Sequence, residues 1–153
     1  MRDYSAKMVS MKEIAEIIKA GQFAPTARDN RAIGFVIITR QEMKDKIFEV
    51  AGQEFLRNAK VLIIPAIDSE KTDCPVQDLS VATENMFLQA AALGLGTVWK
   101  NLQPDWAKKI KKLLRIPEKY KIINIIPVGY PLNKPQAHTD KDFDKKKMHE
   151  EKW

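Results

Sequence analysis

The stretch Leu88–Gly96, LQAAALGLG, is apolar nearly all the way round a helix and then breaks on two glycines. A helix apolar on every side needs protein around it on every side. Upstream, Leu79, Ala82 and Met86 continue the helix with a one-sided period. A helix over Asp78–Leu93 follows, buried at its C-terminal end.

Four β-branched runs supply the material. Ile33–Thr39 and Lys60–Ile67 read as buried strands, with Pro65 placing the second at an edge or a bulge. Thr97–Lys100 reads as a short strand and Ile122–Tyr130 as the last one. Helical spacing marks Met11–Ala20, opened by a Ser10–Glu13 capping box, then Gln41–Val50 and Trp106–Arg115. Helices and strands alternate. From pattern alone, that predicts an α/β layered domain with a mostly parallel sheet.

Of 153 residues, 44% are hydrophobic and 30% charged, ordinary values for a folded chain and too apolar for a disordered one. No apolar run reaches the roughly 20 residues needed to span a bilayer. Met1–Ser10 lacks the apolar centre of a signal peptide, and the lone Cys74 excludes an internal disulfide. A cytoplasmic location is expected. The net charge of +6 is local: between Pro104 and Lys121 seven basic residues face only Asp105 and Glu118. Lys108, Lys111, Lys112 and Arg115 form a helical stripe there, which could hold the phosphates of a nucleic acid or be a solvated face. No aromatic residue interleaves with the lysines, so nucleic-acid binding through helix 106–115 is the minor alternative.

Side-chain chemistry is sparse. Gly94-Leu95-Gly96 follows a helix and opens a strand, the reverse of a dinucleotide fingerprint. Cys74 has no histidine neighbour, and His138 and His149 lack ligand spacing to a third group, so no metal site is predicted. An enzyme of this composition leaves its chemistry to a cofactor.

Three segments in order resemble the flavin-dependent nitroreductase family, in its short form. FAPTARDNRAIGFVIIT (23–39) resembles A-P-[ST]-A-x-N-x-Q-P-W-x-F with its strand. DLSVATENMFLQAAALGLGTVWK (78–100) resembles the family's long helix ending A-x-x-L-G-L-G. IPVGYP (126–131), the closing HEEKW and the opening Arg2-Asp3-Tyr4 complete the match.

The resemblance implies an α+β three-layer fold over 1–153, with a central, mostly antiparallel sheet flanked by helices. It implies a homodimer that exchanges an extended C-terminal arm, 131–153, anchored by Trp153, with FMN at the subunit interface. It further implies hydride transfer from NADH or NADPH through flavin N5 to a small electron-poor acceptor, a nitroaromatic or a quinone, with no catalytic side chain. Backbone around Trp99, Lys100, Asn101 and Leu102 would lie along the ring and donate to N5. Arg2 would neutralise the pyrimidine side or the ribityl end, and Gln53 would meet the pyrimidine edge. Pro25, Thr26, Ala27 and Asp29 would reach the flavin across the interface, and Lys141 would meet its phosphate. The family's N-x-Q-P-W reads Asp29-Asn30-Arg31-Ala32-Ile33 here, placing an acid near the flavin for Arg28 or Arg31 to compensate. A family member that keeps fold and dimer but has lost flavin chemistry is the alternative.

Overall fold

The computed structural model describes residues 1–133 and 136–153. In chain order its elements are α1 (Met11–Gln22), β1 (Ile33–Ile38), α2 (Gln41–Ala51), α3 (Glu54–Asn58), β2 (Val61–Asp68), α4 (Pro75–Ala92), β3 (Gly96–Thr97), β4 (Lys100–Asn101), α5 (Pro104–Leu114), β5 (Tyr120–Lys121) and β6 (Asn124–Gly129). The strands form one sheet in the order β1-β2-β6-β3, with β4 also on β6 and β5 on β2. Every pairing is antiparallel. The parallel sheet suggested by alternation is therefore wrong, and the antiparallel sheet flanked by helices implied by the resemblance is right. The reason lies in the β1–β2 connection. Ile38 pairs with Leu62 and Ile33 with Ile67, so β2 starts beside the end of β1. Helices α2 and α3 carry the chain out and back to one end of the sheet. Alternating element types do not by themselves make a crossover.

Both sheet faces are covered: all eight residues of β2 are buried, with alternate side chains going to opposite faces. Leu62, Ile64 and Ala66 pack with Ile47, Leu56, Ile110 and Ile125 under α2, α3 and α5. Val61 and Ile63 pack the other way, with Ile14, Ile17, Met86 and Ala90 of α1 and α4. Pro65 does not mark an edge, because β2 lies inside the sheet. It falls between the β6 pairing, which ends at Ile63, and the β5 pairing, which begins at Ile67. A residue without an N–H fits that gap in the ladder.

The capping box of α1 forms as the sequence predicts, with the Glu13 amide donating to Ser10 Oγ at 3.2 Å and the Ser10 amide to Glu13 Oε2 at 2.7 Å. Helix α4 opens earlier than expected, with Pro75 in its first turn. Its C-terminal half is not surrounded within the chain. Leu79, Ala82, Met86 and Ala90 are buried, whereas Leu88 is 62% exposed and Ala91 and Ala92 face out.

At the other end of the chain, Tyr4 bridges to Pro131 and the Ser5 amide donates to the Tyr130 carbonyl at 2.8 Å. Gly129 makes this possible, since a Cβ there would lie 2.7 Å from the Tyr4 ring. Beyond Pro131 the described tail holds two single 3-10 turns, Asp140–Asp142 and Lys145–Lys147. The Leu132 amide donates to the Asp3 carbonyl at 3.0 Å, and from Thr139 onward the hydrogen bonds and ion pairs among the described residues stay within the tail. Trp153 is fully exposed and stacks on His149, ring centroids 4.3 Å apart. No helix among the described residues is long and apolar enough to cross a membrane.

Candidate functional site

The residues singled out from the sequence fall into three places and an outlier. The first is the turn after α1. Pro25, Thr26, Asp29 and Arg31 join Phe23 and Ile33 around a groove of about 640 Å³. That volume suits a small molecule. The backbone here is uphill: Arg28, Asp29 and Arg31 have φ of 55°, 52° and 48°. Left-handed conformations cost non-glycine residues about 1–2 kcal/mol each and must be held from outside.

The holder is Asp78 of α4, 4% exposed. Its Oδ1 accepts the Ala27 amide at 2.8 Å, and its Oδ2 accepts Asn30 Nδ2 at 2.9 Å and the Thr72 hydroxyl at 2.7 Å. Burial alone would raise the Asp78 pKa; these three donors outweigh it and hold the carboxyl below its usual range. Ala27 is thus turned to Asp78 by its amide, not to the groove. Asp29 does not present a free acid. Arg31 grips both its oxygens, at 2.9 and 2.8 Å, and lowers its pKa mainly by that hydrogen bonding. Arg28 instead pairs with Asp73 at 3.0 Å, both well exposed.

The second place is the irregular crossing from β3 to β4. Trp99, Asn101 and Leu102 line a groove of about 560 Å³ with Lys108, Tyr120 and Lys121. Lys100 pairs with Ile125, and the Leu102 amide donates to the Ile123 carbonyl at 2.9 Å. Antiparallel pairing alternates in and out of the ladder, so the backbone of Asn101 between them points away from β6. Of the four residues expected to offer an amide, Lys100 and Leu102 have theirs committed, and Asn101 has an outward one. The Lys100 side chain is buried, its amine 4.3 Å from the centre of the Trp106 ring, and burial lowers its pKa.

The third place joins Arg2 to α3. The Arg2 guanidinium lies 5.6 Å from the centre of the Phe55 ring, two residues beyond Gln53, the exposed N-cap of α3. Lys141 is the outlier, exposed in the tail between Asp140 and Asp142.

The basic stripe is also redistributed. Lys111 is turned inward, its amine donating to the carbonyls of Glu118 (2.8 Å) and Tyr120 (2.9 Å) and pairing with the Glu118 carboxylate. Lys119 is tied to buried Asp68 at 2.8 Å, a pairing that lowers the Asp68 pKa and raises that of Lys119. Lys108, Lys109 and Lys112 remain on the solvent face, around a hollow shared with Asp105 and Glu118. Sequence reasoning missed Asp78 as an anchor, together with Asn30 and Thr72. The one local sign was an acid in the first turn of a helix otherwise about to be buried. Buried Asn124 was missed too; its Nδ2 donates to Thr83 Oγ1 at 3.1 Å, and its Oδ1 has no partner among the described residues.

Residues 48–130 match the profile of the nitroreductase family. A protein of Methanothermobacter thermautotrophicus, provisionally named an NADH dehydrogenase/NAD(P)H nitroreductase, is 36% identical over 100% of this chain and 82% of its own length. The solved structure of an FMN-dependent nitroreductase from Clostridium difficile R20291 is 30% identical, with a TM-score of 0.93 over 100% of this chain and 94% of that one. An NADPH:FMN oxidoreductase from Vibrio harveyi, complexed with NAD+, shares the fold at 21% identity, with a TM-score of 0.80 over 98% of this chain and 74% of that one.

Proposed function

The chain belongs to the nitroreductase family, and from that premise we propose that it is an FMN-dependent oxidoreductase, drawing on NADH or NADPH and reducing a small electron-poor acceptor such as a nitroaromatic or a quinone. The observation that carries this reading is the outward backbone of Asn101, set beside Trp99 at the wall of a groove. A flavin needs a fixed amide at N5 and an aromatic or apolar wall, and both are present in this stretch. When bound, the flavin supplies the hydride-accepting and hydride-donating centre. The chain's own part is to hold and orient it. Asn101 offers the amide; Arg2 offers a cation over Phe55, in the helix that Gln53 caps; Pro25, Thr26 and the Arg31-neutralised Asp29 offer a second wall. That neutralisation counts against the reading in which flavin chemistry has been lost, since the acid brings no free negative charge to the ring.

The site is read as shared between two copies. The turn, the Trp99–Leu102 crossing and the Arg2–Phe55 corner line separate places within one chain. The outer face of α4, with Leu88 and Val81, stays bare, as does Trp153 in the tail. A second copy would cover the apolar helix and bring Lys141 to the phosphate. Protein mixed with FMN and desalted should keep a flavin spectrum, oxidise a reduced nicotinamide and sediment as a dimer. Colourless protein that leaves the nicotinamide untouched would refute the reading.

A further inference from the structure

We propose that Asp78 is the positioning residue of this site, the one buried external anchor among the described residues for the Ala27–Arg31 turn, which keeps Arg28, Asp29 and Arg31 left-handed and so shapes the groove wall of Pro25, Thr26, Asp29 and Arg31. The flavin half of this proposal rests on the function proposed above; the anchoring half does not. Within the turn, the Asp29 amide donates to the Thr26 carbonyl at 3.0 Å and Asn30 Nδ2 to the Ala27 carbonyl at 2.8 Å. Such short-range bonds tighten the turn without fixing it to the body. Among the described residues two ties run outward from its side chains and amides. The Arg28–Asp73 pair has side chains 87% and 76% exposed, where ion pairs contribute little. Asp78 is buried and meets the turn twice, at Ala27 and Asn30, while the Thr72 hydroxyl fixes its second oxygen from the far side.

A carboxylate is required for this role. All three partners are donors, and two oxygens with acceptor capacity only can receive them. An amide of the same shape would turn an NH2 toward a donor. Asp78 is also rigidly based, four residues into an eighteen-residue helix, with its own amide donating to the Cys74 carbonyl at 3.0 Å. Its reach across sequence, about fifty residues back to the turn, makes the groove wall a property of α4.

The test compares full-length wild type with Asp78→Asn. In flavin-free protein, trypsin cleavage after Arg28 and Arg31, followed by mass spectrometry, should speed up roughly tenfold or more in the variant, the cost of losing charge-assisted bonds. The global thermal midpoint should move by only a few degrees. In FMN titrations the dissociation constant should rise by a similar factor. Equal cleavage rates would overturn the anchor. Faster cleavage with unchanged FMN affinity would overturn its positioning role. Wild type that binds no FMN would sink the functional reading, while the cleavage comparison would still decide the anchor. If Asp78→Asn does not fold, Thr72→Val removes one donor and should give a smaller rise in cleavage at the same two arginines; no rise would overturn the proposal.

Discussion

The two groove walls are built by opposite means. The Trp99–Leu102 wall hangs on a β-ladder, where regular pairing with Ile123 and Ile125 leaves one amide facing outward. The Ala27–Arg31 wall is irregular backbone held by a single buried carboxylate. A ladder spreads its hold over many equivalent bonds and protects each. An anchor concentrates it, so the turn can be tuned, or lost, by one residue in a different element.

Replacing the outward amide should have the largest effect. Proline at position 101 removes an N–H that the ladder does not use, so the fold should persist while kcat/KM falls roughly 10²–10³-fold, as for loss of one preorganised donor. Stopped-flow nicotinamide oxidation with circular dichroism as the control would measure it, and unaltered rates would break the assignment of Asn101. Next, Ile125→Ala hollows the core beneath β4 and should cost about 2–5 kcal/mol in a urea melt. Native-state trypsin sensitivity at Arg28 should stay at the wild-type level, if the two walls are independent. Third, Asn30→Ala strips one donor from Asp78 and should loosen the turn by about 1–3 kcal/mol, read as local proteolysis with little change in the melt.

The smallest effect separates the walls by acid. The folded pKa of Asp78 is depressed, so its contribution is complete above the unfolded value of about 4 and is lost as pH falls through the lower folded value. Protection of the Ala27 amide against hydrogen exchange should therefore fall in that acid window, while that of Leu102 holds. Parallel loss at both amides would erase the distinction.

The sequence made the elements legible because their causes are local. The Ser10–Glu13 box and the run IGFVIIT announce themselves within a few residues. Strand direction was not legible from pattern, since α3, five residues long, has no period to detect and it is α3 that helps return the chain. The family resemblance corrected this. Lys111 illustrates a different blindness: its spacing matches the basic stripe, but Glu118 and Tyr120, brought close by the turn after α5, claim its amine. The apolar end of α4 reads as buried all round, whereas Leu88, Ala91 and Ala92 are exposed on it. Asp78 was illegible as an anchor because its partners lie about fifty residues upstream, and no local rule links a helical acid to a distant strained turn.

The position of β1 has a consequence for handling the protein. It is an end strand of the described sheet, and its sequence IGFVII carries neither charge nor proline, with Ile37 exposed. Such an edge is a template on which other chains can add strands. Arg40, two residues beyond the run, sets a positive charge at its end, of the kind that discourages runaway stacking. Refolding from denaturant should accordingly lose material to fibrils or amorphous aggregate fastest in high salt, where that guanidinium charge is screened.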